Sequence, residues 1–336
     1  MKITAEPLTL NLRTTFRIAH GASDQRFNVR CQIEDGLGEA AVVPYYGDTQ
    51  ESILAYLRKV GEIPGGDPAL LEDLLANLPP GSPASRAAID IALHDLWGKR
   101  LGQPLYRLFG LDPTRLPPTS FTIGIDRPEV MAEQARQCGY PIIKVKLGSS
   151  DDAAALAAIR RTTSARLRVD ANAGWSYDQA LELIPSLAQF DLELIEQPLP
   201  RGDIEGVRSL RQQLRKRGLT TPIFVDESVR SAQDVAAHAG AVDGVVIKLM
   251  KTGGLREALR AIHTARALDM QIMLSCMVES SIGVTAAAHI APLCDHADLD
   301  GPLLITNDPY LGVTYHGAQM TLPNRPGLGV IPKTLS

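Results

Sequence analysis

Three acidic residues in the middle of the chain each follow a short apolar run: Asp170 ends RLRVD, Glu196 ends LELIE and Asp226 ends IFVD. Leucine-rich or β-branched runs of about five residues, bounded by polar residues or proline, are typical of buried parallel strands. Because the carboxyl ends of parallel strands meet at one edge, we expect the three carboxylates to converge. An all-oxygen ligand set of this kind suits Mg²⁺. A single acid at a strand end often only caps the next helix, but three in register favour a metal site.

Lysines extend this pattern on both sides. Lys144 and Lys146 share one face of the predicted strand IIKVK, since side chains alternate along a strand, and Lys248 ends the run GVVIK. Helical segments separate these runs, so each interval is about one strand and one crossover helix. This regular alternation predicts a (β/α) barrel with its site at the C-terminal ends of the strands.

The two strand-end lysines predict acid/base chemistry. In a closed barrel, Lys146 and Lys248 would face each other across the metal, as two bases for the two faces of a substrate carbon. The cation would stabilise the enediolate that forms when the α-proton of a carboxylate substrate leaves. A lysine beside Mg²⁺ and a second ammonium gives up its proton more readily, so Lys144 is expected to steer the substrate carboxylate and to assist Lys146. A solvated surface amine is the ordinary alternative for any lysine.

Three further polar residues flank these candidates. Asn172 follows Asp170 by two positions and is expected either to support that ligand or to cap the next helix. Glu227, beside Asp226, is assigned to the same supporting group. Lys251, just beyond the sixth strand, is interpreted as a loop charge.

The ordered motifs KVK, RVDANAGW, IEQPL, VDES and KLMKTGG resemble the enolase superfamily, in its muconate-lactonising-enzyme subgroup. AIDIALHDLWGKRLGQPLYRLFG resembles the capping domain of the same family. The resemblance covers nearly the whole chain and implies a modified TIM barrel, (β/α)₇β, with an α+β capping domain. It also implies one Mg²⁺ per subunit, and an acid/base pair in which Lys146 serves the S-configured (L) α-carbon and Lys248 the R. The ligands that the resemblance implies are Asp170, Glu196 and Asp226.

The predicted eighth strand bears on the type of reaction. The subgroup includes cycloisomerases, o-succinylbenzoate synthases, N-acylamino acid racemases and dipeptide epimerases. Asp298 and Asp300 in ADLDGPLL share a face and would suit the free α-ammonium of a dipeptide. ADLD and SCMVESSIG both resemble the dipeptide epimerases, so we expect inversion of the C-terminal residue of a dipeptide. Thr122 and Cys276 are predicted to contact the substrate as well. The other activities of the subgroup stay as alternatives, whereas a non-catalytic binding protein is disfavoured because every site position is filled.

Side-chain preference is expected to come from the stretches AHGASDQRF and YYGDTQE. Relatives that act on L-Ala-D/L-Glu resemble each other in an arginine in the first loop. In this chain Ser23 stands at that place, with Arg26 three residues later. Asp24, Asp48 and Glu51 predict an acidic rim, and hence a preference for cationic or neutral dipeptides over acidic ones.

Length and composition set the remaining expectations. The 336 residues are 45% hydrophobic and 21% charged, which is ordinary for a globular protein. A net charge of −4 gives no broad attraction to nucleic acid or membrane phosphate. The N-terminus lacks a signal-peptide core, no run approaches the ~20 apolar residues of a membrane span, and the four cysteines form no close pair, so a cytoplasmic protein is expected. The family leads us to expect a homo-oligomer.

The pattern of predicted elements also divides the chain. Antiparallel strands over 1–45, with a mobile loop HGASDQR between the first two, are followed by helices and the proline-rich stretch LDPTRLPPTS. We therefore predict a capping domain over 1–115, a barrel over 116–305 and a tail over 306–336 that returns to the capping domain.

Overall fold

An antiparallel sheet with helices forms the first unit of the protein. The computed structural model describes residues 1–19 and 21–333. The strands of this unit are β1 (Ile3–Ile18), β2 (Gly21–Ile33) and β3 (Gly36–Ala40), paired in the order β1-β2-β3. Its helices are α1 (Gln50–Val60), α2 (Leu71–Ala76) and α3 (Pro83–Arg100), with the short α4 (Leu105–Leu108) following.

Helix α3 packs directly against β3 because two glycines leave room for it. A β-carbon at Gly36 would lie 2.2 Å from the carbonyl oxygen of Ala92, and one at Gly38 would lie 2.0 Å from that of Ala88. The helix begins after Ser82, whose side chain accepts a hydrogen bond from the backbone of Ser85. Most of its residues are buried, since α3 lies between this sheet and the second unit.

The expected mobile loop between the first two strands is mostly strand. Ile18 pairs with Gly21 and Phe16 with Ser23, so the hairpin stays hydrogen-bonded almost to its tip. The small polar residues of this stretch tolerate extended backbone, and pairing satisfies their backbone groups. The ladder shifts register between Asn11 and Phe16. His20 lies outside the described residues.

The second unit is the predicted barrel, with eight parallel strands in consecutive order. They are β4 (Phe121–Ile123), β5 (Ile142–Lys146), β6 (Arg166–Asp170), β7 (Leu192–Glu196), β8 (Ile223–Val225), β9 (Gly244–Lys248), β10 (Gln271–Ser275) and β11 (His296–Asp298). The backbone N–H of Ser120 donates to the carbonyl oxygen of Ala297 at 3.2 Å and joins the two edges. The (β/α)₇β barrel predicted from the motifs is therefore confirmed.

Helices connect successive strands of the barrel. They are α5 (Pro128–Cys138), α6 (Asp152–Thr162), α7 (Tyr177–Leu187), α8 (Ile204–Lys216), α9 (Ala232–Ala237), α10 (Leu249–Thr252), α11 (Leu255–Ala267) and α12 (Ser281–Ala288). No helix in the described ranges has the length and apolar character needed to cross a membrane.

Inside the barrel, an apolar layer lies on the N-terminal side of the strand ends. It consists of Leu194, Phe224, Val246 and Met273, all fully buried. The first three lie two residues before Glu196, Asp226 and Lys248, so they share an inward face with them. Arg168 crosses the interior beside this layer, where its Nη1 donates to the carbonyl oxygen of Ala297 at 2.9 Å.

The C-terminal segment returns to the first unit. Its strands are β12 (Tyr310–Leu311), β13 (Thr314–His316), β14 (Gln319–Thr321) and β15 (Ile331–Pro332). The backbone N–H of Leu328 donates to Asp95 of α3 at 2.7 Å, and the N–H of Leu105 donates to the carbonyl oxygen of Gly327 at 3.0 Å. These contacts agree with the predicted return of the tail, while the domain bounds at residues 115 and 305 stay predictions.

Candidate metal and acid/base site

The three predicted carboxylates meet at the C-terminal ends of β6, β7 and β8. Asp170 pairs in register with Glu196 on the neighbouring strand, and Asp226 directly follows β8. One oxygen of each acid lies within 4.8 Å of the others, and all three residues are buried. Buried carboxylates at this separation need a cation, and an all-oxygen set fits a hard divalent ion such as Mg²⁺.

Lys146 and Lys248 approach the carboxylates from opposite sides. The Nζ of Lys146 donates to Asp170 Oδ2 at 2.6 Å, whereas the Nζ of Lys248 donates to Asp226 Oδ2 at 2.8 Å. Both lysines also line the cavity above the acids. A molecule in that cavity would therefore have one ammonium on each side.

Lys144 has a different environment from the one predicted. It is only 1% exposed, and its Nζ lies 2.7 Å from Glu196 Oε2, 2.9 Å from Asp298 Oδ2 and 3.2 Å from Asp170 Oδ2. Burial opposes its charge, but Asp298, Glu196 and Asp170 outweigh burial and raise the pKa of Lys144 well above its usual value. Its main contacts are thus with protein carboxylates, although its side chain still reaches the cavity wall.

The carboxylates titrate unequally. Burial and the charge of Asp170 raise the pKa of Glu196 well above its usual value, despite Lys144. Burial also acts on Asp170, but Lys146 and Lys144 outweigh it and lower the pKa of Asp170 to about 2. Burial lowers and Asp226 raises the pKa of Lys248, and the net shift is upward, opposite to the expectation for a base. The reason is that Asp226, which a divalent cation would neutralise, directly faces this ammonium.

Asn172 and Glu227 lie next to the predicted ligand Asp170 and also line the cavity. The backbone N–H of Asn172, whose φ is 45°, donates to Asp170 Oδ1 at 2.9 Å. Its side-chain amide donates to Glu227 Oε1 at 3.1 Å. Burial and the charge of Asp226 raise the pKa of Glu227. Asn172 therefore fixes one oxygen of Asp170 and links it to Glu227.

Asp298 and Asp300 both line the cavity but have different partners. Asp298 accepts hydrogen bonds from Ser120 Oγ at 2.6 Å and Ser275 Oγ at 2.8 Å, besides its contact with Lys144. Asp300 accepts a hydrogen bond from the backbone N–H of Thr122 at 2.6 Å. Burial and the charge of Asp298 raise the pKa of Asp300 to about 7. Asp300 is thus the acid of this pair that would gain more from a cationic partner.

The predicted acidic rim is wrong for Asp24 and Glu51. The cavity, of about 380 Å³, is lined by neither of them, although Thr122 and Cys276 do line it as predicted. Asp24 is exposed and accepts a hydrogen bond from Thr15 Oγ1 at 2.6 Å, and Glu51 is exposed on the first turn of α1. The first unit contributes mainly apolar and aromatic side chains instead, together with one cation, in the set Phe16, Ile18, Arg26, Phe27, Val42, Val43, Tyr45 and Tyr46.

Several residues that support the site have no clear signal in the sequence. Gln197 follows the predicted ligand Glu196, and its Oε1 accepts a hydrogen bond from the backbone N–H of Asp226 at 2.8 Å. Ser120 and Ser275 fix Asp298. Lys251, interpreted as a loop charge, is 1% exposed and contacts Asp226. The only available signal for Lys251 was its place one helical turn after Lys248.

A buried acid beside the site predicts a pH-dependent stability. Burial and the charge of Glu39 raise the pKa of Glu279 from its usual 4.5 to about 8, whereas Lys248 opposes the shift. Between these values the native state holds more protons than the unfolded state, so the contribution of Glu279 to stability is lost as pH rises. Relative to the variant Glu279→Gln, the free energy of unfolding of the native protein should fall between about pH 5 and about pH 8. Urea denaturation of both proteins at both pH values measures this difference. If the free energy of unfolding changed equally with pH in the native protein and in Glu279→Gln, the prediction would be contradicted.

Comparison with known proteins gives the family. Residues 3–110 match the mandelate racemase/muconate lactonizing enzyme N-terminal domain, and residues 129–334 match the enolase C-terminal domain-like family. An L-Ala-D/L-Glu epimerase of Bacteroides thetaiotaomicron is 42% identical, over 98% of this chain and 88% of that protein.

Solved structures agree with the sequence relatives. A dipeptide epimerase of Enterococcus faecalis, complexed with Mg and L-Leu-L-Tyr, is 33% identical with a TM-score of 0.88, over 98% of both chains. An N-succinyl Arg/Lys racemase of Bacillus cereus is 31% identical with a TM-score of 0.91, over 99% of this chain and 96% of that one. The chain therefore belongs to the mandelate racemase/muconate lactonizing enzyme family of the enolase superfamily.

Proposed function

We propose that the protein is a Mg²⁺-dependent dipeptide epimerase that inverts the α-carbon of the C-terminal residue by two-base 1,1-proton transfer, in which one lysine removes the α-proton and the protonated second lysine donates a proton to the opposite face. The observation that carries this proposal is the placement of Lys146 and Lys248 on opposite sides of three converging carboxylates. The similarity to the epimerases of Bacteroides thetaiotaomicron and Enterococcus faecalis supports it.

The lysines carry the proton transfers in this proposal. Asp170, Glu196 and Asp226 would hold Mg²⁺, which stabilises the negative charge that develops on the substrate carboxylate as the α-proton leaves. The Nζ of Lys146 removes the proton from the L configuration, and the Nζ of Lys248 returns one to the opposite face. The reverse reaction exchanges the two roles.

Asp300 supports a dipeptide over an N-acylated amino acid. Its carboxyl has one hydrogen-bond partner in the described part of the chain, and it lines the cavity next to Asp298. The α-ammonium of a dipeptide would form a charge-assisted hydrogen bond there. A succinyl carboxylate would instead meet like charge, which disfavours N-succinylamino acids as substrates.

Proton exchange in D₂O tests the proposal. The protein is incubated with Mg²⁺ and pooled L,L-dipeptides, and the products are analysed by mass spectrometry and chiral separation. We expect some dipeptides to gain one mass unit and to epimerise, and both changes to stop when EDTA removes the metal. Exchange in N-succinylamino acids with silence across the dipeptides would overturn the proposal in favour of racemase activity.

Arg26, rather than an acidic rim, is the charged residue of the first unit that we expect to select the side chain of the dipeptide. It lies on the cavity wall, the nearest described acids form no ion pair with it, and burial lowers its pKa. A partly buried guanidinium without a carboxylate partner attracts an acidic group. We therefore propose that acidic and apolar C-terminal residues are preferred over cationic ones.

Substitution of Arg26 checks this preference. Arg26→Met should lower kcat/KM for L-Ala-L-Glu by about 10- to 100-fold, the range expected for losing one charge-assisted contact. The kcat/KM for L-Ala-L-Phe should change little, which controls for damage to the hairpin. The role of Arg26 would be contradicted if Arg26→Met lowered kcat/KM equally for both dipeptides. It would also be contradicted if the unsubstituted protein had a higher kcat/KM for L-Ala-L-Lys than for L-Ala-L-Glu.

We further infer a cytoplasmic homo-oligomer that engages neither nucleic acid nor membranes. The unpaired cysteines Cys31, Cys138, Cys276 and Cys294 and the net charge of −4 support the location and the absence of such partners. The family resemblance supports the oligomer.

A further inference from the structure

Lys251 is a buried cation placed on a metal ligand. It lies on α10, one turn after Lys248, and only 1% of it is exposed. Its Nζ donates to Oδ1 and to the backbone oxygen of Asp226, and to the carbonyl oxygen of Val246 at 3.0 Å. Three acceptors fill the donor capacity of an ammonium, so this side chain is fixed rather than free to reach a substrate.

The contacts of Lys251 divide the two oxygens of Asp226. Oδ1 accepts a hydrogen bond from Lys251, whereas Oδ2 accepts one from Lys248 at 2.8 Å. Asp170 is held in a similar way: the backbone N–H of Asn172 donates to its Oδ1 at 2.9 Å, while its Oδ2 accepts from Lys146 at 2.6 Å and more weakly from the side-chain amide of Asn172 at 3.4 Å. In both aspartates, Oδ1 is therefore bound by a group other than the two proposed bases, whereas Oδ2 contacts one of those bases.

The number of available oxygens matters for the choice of cation. Mg²⁺ is small and requires near-octahedral coordination, for which ligands that each give one oxygen are well suited. Ca²⁺ is larger, accepts six to eight oxygens and often binds a carboxylate through both of them. An aspartate whose second oxygen is already hydrogen-bonded is thus a poorer ligand for Ca²⁺ than a free one.

We propose that Lys251 is a positioning residue that restricts Asp226 to one available oxygen and thereby makes the site select Mg²⁺ over Ca²⁺. This inference rests on the metal site of the proposed function, but not on the identity of the substrate. Removing the ammonium while keeping the length of the side chain, as in Lys251→Met, frees Oδ1 for a second bond to a large cation. The loss of one positive charge raises the affinity for both divalent ions alike, so the ratio of the two affinities isolates the positioning effect.

Isothermal titration of the purified protein with Mg²⁺ and with Ca²⁺, in the absence of dipeptide, tests the proposal. In Lys251→Met, the Kd for Ca²⁺ divided by the Kd for Mg²⁺ should fall by at least about tenfold relative to the unsubstituted protein. Thermal unfolding first establishes that the variant is folded. If it is not, Lys251→Leu, which also lacks both the charge and any hydrogen-bond donor, is titrated in its place with the same expectation.

The matched control is Thr252→Val, one residue further along α10. The hydroxyl of Thr252 donates within its own helix region, to the carbonyl oxygen of Lys248 at 3.2 Å, and no contact joins it to the carboxylate of Asp226. This variant should keep the Ca²⁺ to Mg²⁺ ratio of the unsubstituted protein. If both affinities in the Lys251 variants move together and the ratio is unchanged, Lys251 acts only through its charge or its packing, and the proposal is overturned. Because the titration contains no dipeptide, it tests the role of Lys251 even if the protein turns out not to epimerise dipeptides.

Discussion

Replacing Lys146 by alanine should lower the rate of epimerisation by roughly 10²- to 10⁴-fold, the usual contribution of a general base. The same variant should still exchange the α-proton of the configuration that Lys248 serves, because Lys248 keeps its place beside Asp226 on the other side of the site. Lys248→Ala should show the opposite pattern. Measuring exchange in D₂O separately with the L,L- and L,D-forms of one dipeptide resolves the two half-reactions.

The control for both lysine variants is Lys59→Ala, since Lys59 is exposed on α1 and remote in sequence from the strand ends. It should leave both exchange rates unchanged. If Lys146→Ala and Lys248→Ala each abolish exchange with both configurations, a mechanism with one base for each face is excluded.

Removing the charge of Lys144 should have the largest effect on stability. Lys144→Met leaves Glu196, Asp298 and Asp170 without their shared cation, and breaking a buried ion pair in this way typically costs about 3–5 kcal/mol. Urea denaturation without metal should show this loss in the free energy of unfolding. Saturating Mg²⁺ should restore part of it, because the ion binds the native carboxylates and not the unfolded chain.

The corresponding change on the surface, Lys59→Met, should alter the free energy of unfolding by less than about 0.5 kcal/mol. An unchanged stability of Lys144→Met in the absence of metal would mean that the acids are already neutralised by protons. In that case the ion pairs of Lys144 would not support the native state.

The sequence was sufficient to predict the barrel and the convergence of its acids and lysines. The barrel strands are short and mostly apolar, and six of the eight end in a polar residue, so periodicity predicts both the inward face and the end at which the polar group lies. Asp170, Glu196, Lys146 and Lys248 illustrate this, since each is the last residue of its strand. Because neighbouring strands are parallel and in register, the side chains at their ends lie side by side.

Residues outside the strand ends could not be predicted in the same way. The interpretation of Lys251 as a loop charge is wrong, because the burial of this residue depends on the turn of α10 over β9, which no local pattern encodes. Asp24 and Glu51 were placed over the site, yet the hairpin presents Arg26 there instead. The orientation of a hairpin tip depends on its register shift and on packing between the two units, which are long-range properties.

The apolar layer beneath the site also has a consequence for how molecules pass through it. Leu194, Phe224, Val246 and Met273 close the barrel on one side, and Arg168 crosses the interior beside them. In the described part of the chain, this layer bounds the site cavity on the N-terminal side of the strand ends, and residues of the hairpin and of the segment around Tyr46 line the cavity on the side of the first unit. The described residues leave no route through the barrel interior, so substrate and product must both pass between the strand ends and the first unit, and exchange of one for the other depends on the packing of the hairpin over the barrel.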